Sequence, residues 1–145
     1  MIKNKLILLA VAMLITVCAF AQKGKKEKLL DGMTFNITLT TESTAKPTKP
    51  ISDQLTFKGD KIKSKVMSDK YNFKQGTFTA TVDSSDAEEI VITFDAVMKG
   101  EGADEILTWH GTVTDEDIEG NAIWTKKGKT KKSFAIVGLL QKKKK

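Results

Sequence analysis

The side chains capable of chemistry are few, and most of them fall in one stretch, I-L-T-W-H-G-T-V-T-D-E-D-I-E-G-N-A-I-W, residues 106–124. It contains the sole histidine, His110, both tryptophans, Trp109 and Trp124, and the carboxylates Asp115, Glu116, Asp117 and Glu119. A histidine can activate a serine or threonine, but nucleophilic catalysis needs a base and an orienting group arranged around the nucleophile. His110 lies in no G-x-S-x-G elbow. With no second histidine, and with the one cysteine, Cys18, in an apolar leader, a zinc site could be completed only by carboxylates. The sequence therefore predicts no enzyme, no cofactor and no metal centre. The four acids could offer hard oxygen ligands to calcium, but they lack the glycine-punctuated spacing of a known calcium loop. They read as a hydrated hairpin tip, and whether they hold a cation is left open.

Side-chain parity divides this stretch. In an extended chain successive residues face opposite ways, so Trp109 and Gly111 share one face while Thr108, His110 and Thr112 share the other. On the following strand Gly120, Ala122 and Trp124 fall together. Two inward indoles beside glycines can form one wall of an apolar pocket, or can simply fill an interior. Phe35, Phe94 and Phe134 carry the same ambiguity. Tyr71 and Phe73, in the otherwise polar stretch 68–76, either fold over an open end of a sheet or staple a connection to the core. These seven aromatics are the candidate ligand-binding residues.

The elements that must position them are strands. Met33, Phe35, Ile37 and Leu39 alternate with polar residues after the turn signal Asp31-Gly32, as expected of a half-buried strand. Residues 41–52 hold both prolines, Pro47 and Pro50, and predict a long connection that could act as a lid or binding loop. A hairpin over 54–57 and 61–67 turns at Gly59-Asp60, with Lys61, Lys63 and Lys65 on its outer face. Strands are predicted over 77–83 and 89–99, then over the two arms of the 106–124 hairpin, and last from Phe134 to Leu140. No stretch outside the leader shows a helical period. Eight short-turned strands give an up-and-down antiparallel meander, and eight is the number at which such a sheet can close into a barrel with a filled or singly occupied interior. Gly111, Gly120 and Gly138 fit closure, since tightly curved walls need close backbone approach. The expected fold is all-β, a closed eight-stranded barrel, with a β-sandwich as the alternative.

The order Leu107-Thr-Trp-His-Gly-Thr-Val, Asp117-Ile-Glu-Gly-Asn-Ala-Ile-Trp and Phe134-Ala-Ile-Val-Gly-Leu-Leu resembles the C-terminal strands of small bacterial lipocalin-like (calycin-type) β-barrel proteins. The likeness is architectural over 31–140 and motif-like over 107–140. It departs from that pattern where Gly32 is followed by Met33-Thr34-Phe35 rather than a Gly-x-Trp, and the chain has no arginine to pack across such a tryptophan. The resemblance implies a barrel with an apolar space for a lipid or other small hydrophobic molecule.

The remaining features bear on address and partners. Lys3 and Lys5 precede the apolar run 6–17, and Ala19-Phe20-Ala21 supplies small residues for a signal peptidase, so residues 1–21 read as a secretory signal peptide. The apolar run is shorter than the roughly 20 residues a bilayer span needs. Lipid anchoring through Cys18 is the alternative, against which stands Val17 where a lipobox has a small residue. The expected product is periplasmic or extracellular: a flexible basic arm over 22–30, one barrel domain over 31–141 and a lysine tail over 142–145. Losing the leader removes the only cysteine and takes the net charge from +6 to +4. All 24 basic residues are lysines, which argues against nucleic acid, whose base edges and phosphates favour the guanidinium fork. Twelve carboxylates and one lysine occupy 83–119, whereas 126–132 and 142–145 are basic. Two functions are consistent with this pattern, the first the expected one and the second its alternative. One is a monomeric exported barrel binding a small hydrophobic ligand inside. The other is a filled barrel whose charged patches contact anionic envelope polymers or a protein partner. An inward cavity favours the first and a solid core the second.

Overall fold

The computed structural model describes residues 29–42, 48–83, 89–102 and 104–144. The predicted signal peptide (1–21), most of the predicted arm and Pro47 lie outside the described residues. The chain forms β1 (Thr34–Thr41), β2 (Ile51–Lys58), β3 (Lys61–Ser64), α1 (Lys65–Tyr71), β4 (Gly76–Asp83), β5 (Val91–Lys99), β6 (Glu105–Thr114), β7 (Asp117–Lys126) and β8 (Lys129–Leu140). The strands follow one another in a single closed antiparallel barrel. Closure is made by β1 against β8, with Phe35 opposite Leu140 and Thr41 opposite Phe134. The barrel is the expected fold, and the sandwich alternative does not occur.

Period-two patterning produces this wall directly. Phe35, Ile37 and Leu39 of β1, Leu107, Trp109 and Val113 of β6, and Phe134 and Ile136 of β8 point inward and are buried, while their neighbours Asn36, Thr40, Thr108 and His110 are exposed. Glycine is needed where β6 meets β7. Gly111 and Gly120 face each other across the hairpin, and a Cβ on Gly111 would stand 2.8 Å from both the Phe94 ring and the Glu119 carbonyl. The missing side chain is thus the space the Phe94 ring occupies.

Beyond β2 starting at Ile51, inside the predicted 41–52 connection, the structure differs from expectation at four places. The sequence predicts strand through residue 67, but β3 ends at Ser64 and a seven-residue helix follows. Leu30, assigned to a flexible arm, is fully buried because the chain at 29–33 folds back under β2, with the Gly32 N–H donating to the Phe57 carbonyl at 2.8 Å. Ile90, inside the strand predicted over 89–99, precedes β5 and is exposed. β8 begins at Lys129 rather than Phe134, because the tight turn at Lys127-Gly128, with φ of 52° and 74°, pairs Lys126 with Lys129 and brings the lysine run into the sheet. Positive φ at both turn residues is what a two-residue hairpin of this hand requires.

One end of the barrel carries α1, the β5–β6 loop and the β7–β8 turn. The other carries the 29–33 segment, the β2–β3 and β6–β7 turns and the C-terminus. Among the described residues no helix is long and apolar enough to cross a membrane.

Candidate functional site

The barrel shaft is built around Phe57, whose ring makes edge-on contacts with Phe35 at 6.0 Å, Phe78 at 5.0 Å and Phe94 at 5.2 Å between centroids. Each such pair contributes roughly 0.5–1.5 kcal/mol beyond its buried area. Phe35, Phe94 and Trp109 are 0% exposed and Phe134 1%, so no water-sized space adjoins the first three. Trp109 lies opposite Ala122 and Trp124 opposite Leu107, which offsets the two indoles by one inward position. The Trp109 Nε1 donates to the Met98 sulfur at 3.1 Å. Four of the seven candidate aromatics, Phe35, Phe94, Phe134 and Trp109, therefore belong to a solid interior.

The other three come together at the helix end. Trp124 is packed edge-on by Tyr71 and by Phe73, each at 5.1 Å. Tyr71 reaches it from the last turn of α1, and Phe73 from just beyond the helix. Lys131 Nζ lies 4.4 Å from the centre of the Trp124 ring, and Lys70 and Lys132 lie 5.5 and 5.9 Å from that of Tyr71. Trp124 is 4% exposed, and its Nε1 is the one buried side-chain polar atom among the described residues with no hydrogen-bond partner.

The helix that assembles this cap is specified by two residues that sequence patterning missed. The Ser64 side chain accepts from the Met67 N–H at 3.1 Å, the N-cap bond that opens a helix. Asp53, inward-facing on β2 and buried, accepts from the Ser64 hydroxyl, from the Val66 N–H at 2.8 Å and from the Gln54 N–H at 2.7 Å. A carboxylate at a helix N-terminus is also favoured by the helix dipole. Asn72 closes the helix in the left-handed conformation. The signals available in the sequence were Ser64 and Asn72 as a cap pair, and Met67 and Tyr71 at i, i+4.

No family model, curated protein or solved structure matches this chain.

The outer wall provides the other possible sites. Thr56, Lys58, Lys61, Lys63 and Gln75 line a groove of about 510 Å3 on β2 and β3, and a neighbouring groove of about 300 Å3 is lined by Gln54, Thr56, Lys63, Lys65 and Asp69. Strands β6 and β7 lie diametrically across the ring of eight from β2 and β3. There Glu89, Asp117 and Glu119 line a groove of about 400 Å3 with Thr112, Thr114 and Val137. The barrel thus has a basic wall and an opposite acidic one. Among the described residues no three or more His, Cys, Asp or Glu side chains are placed to hold a metal ion. Asp115 and Glu116 form the β6–β7 turn, and Glu116 pairs with Lys142 at 3.6 Å.

His110 faces outward, as its parity predicts. Its Nδ1 lies 2.6 Å from Asp95 Oδ1 on β5, and the two side chains are 56% and 63% exposed. A histidine oriented by a carboxylate is two parts of a catalytic triad. Among the described residues no hydroxyl hydrogen-bonds its other nitrogen.

Proposed function

We propose that this chain is an exported, monomeric, non-enzymatic binding module: a filled barrel that holds an anionic envelope polymer against the lysine-lined wall of β2 and β3. The observation that carries this reading is the convergence of Lys58, Lys61 and Lys63 on one groove, where none of the three is engaged in an ion pair among the described residues. The ion pairs of the described residues lie elsewhere, at His110–Asp95 and Lys142–Glu116. The solid shaft supports it from the other side, by leaving the outer wall as the accessible chemistry. The acidic wall opposite would orient the molecule, since a polyanion attracts one face and repels the other. Kinship with small bacterial lipocalin-like proteins is part of the proposal, supported by the closed eight-stranded antiparallel meander. Export rests on the leader sequence.

Heparin and polygalacturonate are suitable probes of the full chain after leader removal. Affinity should fall steeply between low and high salt, because exposed charges are screened within about 10 Å at 0.1 M ionic strength. It should be lost in a Lys58→Gln/Lys61→Gln/Lys63→Gln variant and weakened less by deletion of residues 142–145. Binding that survives both high salt and the triple substitution refutes the electrostatic wall. A second reading, binding of a small ligand with an apolar body and one hydrogen-bond acceptor, is favoured by one observation, the unpartnered indole N–H of Trp124 among aromatic rings at the helix end.

A further inference from the structure

We infer that the cap formed by Tyr71, Phe73 and Trp124 is a binding site for a small carboxylate with an aromatic or compact apolar body. This builds on the second reading above and adds the charge and size of the ligand. Buried polar groups in folded proteins are almost always partnered, and an exception calls for a specific explanation. Trp109 shows what the fold does when it provides for an indole itself: its N–H meets the Met98 sulfur. The Trp124 Nε1 is equally enclosed and meets nothing. An oxygen acceptor supplied from outside the chain satisfies it, and the surroundings give that acceptor a sign. Lys131 stands over the indole ring, and Lys70 and Lys132 flank Tyr71, so three ammonium groups stand beside the cap, against the one Glu101 carboxylate, which is taken up by the Asn72 side chain. A carboxylate oxygen taking the Trp124 N–H forms a charge-assisted hydrogen bond, stronger than a neutral one, and remains within the field of these lysines.

The site also limits size. Leu39, Leu107 and Trp109, in the shaft beside it, are 0% exposed, so a long chain cannot thread into the barrel and the ligand must lie at the end. Its body replaces or displaces Tyr71, the half-buried member of the triad. Tyr71 can move because α1 is seven residues long and buries only Met67. The polymer-binding groove on β2 and β3 shares no residue with this cap, so the two sites are independent.

The chain has two tryptophans, so the 1H–15N spectrum of the labelled protein shows two indole signals, distinguished by which one a Trp124→Phe substitution removes. Titration with benzoate should move the Trp124 signal saturably and leave that of Trp109 in place. Benzyl alcohol, which lacks the charge, should bind about tenfold more weakly, the equivalent of one charge-assisted hydrogen bond. Acetate, which keeps the charge but lacks the body, should also bind about tenfold more weakly or worse, because it buries no ring. A Lys131→Gln/Lys132→Gln variant should weaken benzoate without changing the rest of the spectrum. If benzyl alcohol binds as tightly as benzoate, the apolar-ligand reading survives and the carboxylate inference is wrong. If no probe moves the Trp124 signal, or if that N–H shows a bound-water contact that benzoate never disturbs, both are wrong. The titrations use the unsubstituted chain, so the result does not depend on the Trp124→Phe variant folding.

Discussion

Replacing Asp53 by alanine should cost the protein about 3 kcal/mol, through a helix rather than through the strand that carries the residue. Asp53 is 6% exposed, and its carboxylate is the acceptor for the Ser64 hydroxyl and the Val66 N–H at the start of α1. Alanine leaves both of these donors without a partner, and also takes the carboxylate from the Gln54 N–H at the edge of the site. A buried donor stripped of its acceptor costs roughly 1–3 kcal/mol. Val66 is only half-buried, so water relieves part of the penalty and about 1.5 kcal/mol each is the appropriate figure. For a barrel of this size 1 kcal/mol corresponds to about 4 °C, giving a fall in melting temperature of about 12 °C.

Urea denaturation should show the midpoint falling with an unchanged slope, since the surface exposed on unfolding is the same. Ser64→Ala removes one of the two donors together with the N-cap and should cost about 1–2 kcal/mol. Because the residues share a hydrogen bond, the double variant should be less destabilised than the sum, by about 1 kcal/mol. Amide exchange at Val66 and Met67 should accelerate more than at Trp109 or Ala122, because α1 opens before the barrel wall does. A loss under about 0.5 kcal/mol for Asp53→Ala, or strict additivity with Ser64→Ala, refutes the assignment of Asp53 as the anchor of the helix.

Three further outcomes are expected from the same denaturation measurement. Gly111→Ala places a Cβ 2.8 Å from the Phe94 ring and the Glu119 carbonyl and should cost about 1–3 kcal/mol by overpacking. Trp109→Phe should be more costly than Trp124→Phe, by about 1 kcal/mol, since the first breaks the contact with Met98 while the second removes a buried donor that has no partner. His110→Ala and Asp95→Ala should each stay within about 0.5 kcal/mol of the unsubstituted protein at neutral pH, because a pair this exposed is screened by water.

The barrel was legible in the sequence because its information is local and repeated: alternating inward apolar residues, short turns, and glycines at 111 and 120 on the same face as Trp109 and Trp124. The helix was not, because what decides it is far away in the chain. Lys61, Ile62, Lys63, Ser64 and Lys65 continue a strand alternation, which masks the weaker local cap signals at Ser64 and Asn72. The stop comes from Asp53, eleven residues earlier, whose carboxylate takes the Ser64 hydroxyl and the first available helix N–H. The candidate aromatics divide for the same reason. Period-two parity identifies Phe35, Phe94, Phe134 and Trp109 as inward, but it cannot distinguish an inward residue in a solid shaft from one at an opening. Tyr71, Phe73 and Trp124 form a separate group only because α1 turns the chain across the end of the barrel.

That helix also determines where a partner can be held. A barrel closed around its ring of strands leaves little free sheet edge on which an extended chain could add a strand. Recognition must then use outward side chains or an opening in the wall. Diverting the chain into α1 leaves β3 only four residues long and its pairing with β4 confined to Lys61 opposite Thr77 and Ile62 opposite Gly76. The wall is least paired at this seam. Lys58, Lys61 and Lys63 surround the groove on its outer side, while the helix that produced it carries Tyr71 to Trp124. Both candidate surfaces therefore follow from one event, the termination of β3 by Asp53 and Ser64. A straight eight-stranded barrel lacking that break would have neither the aromatic cap nor the short β3–β4 seam.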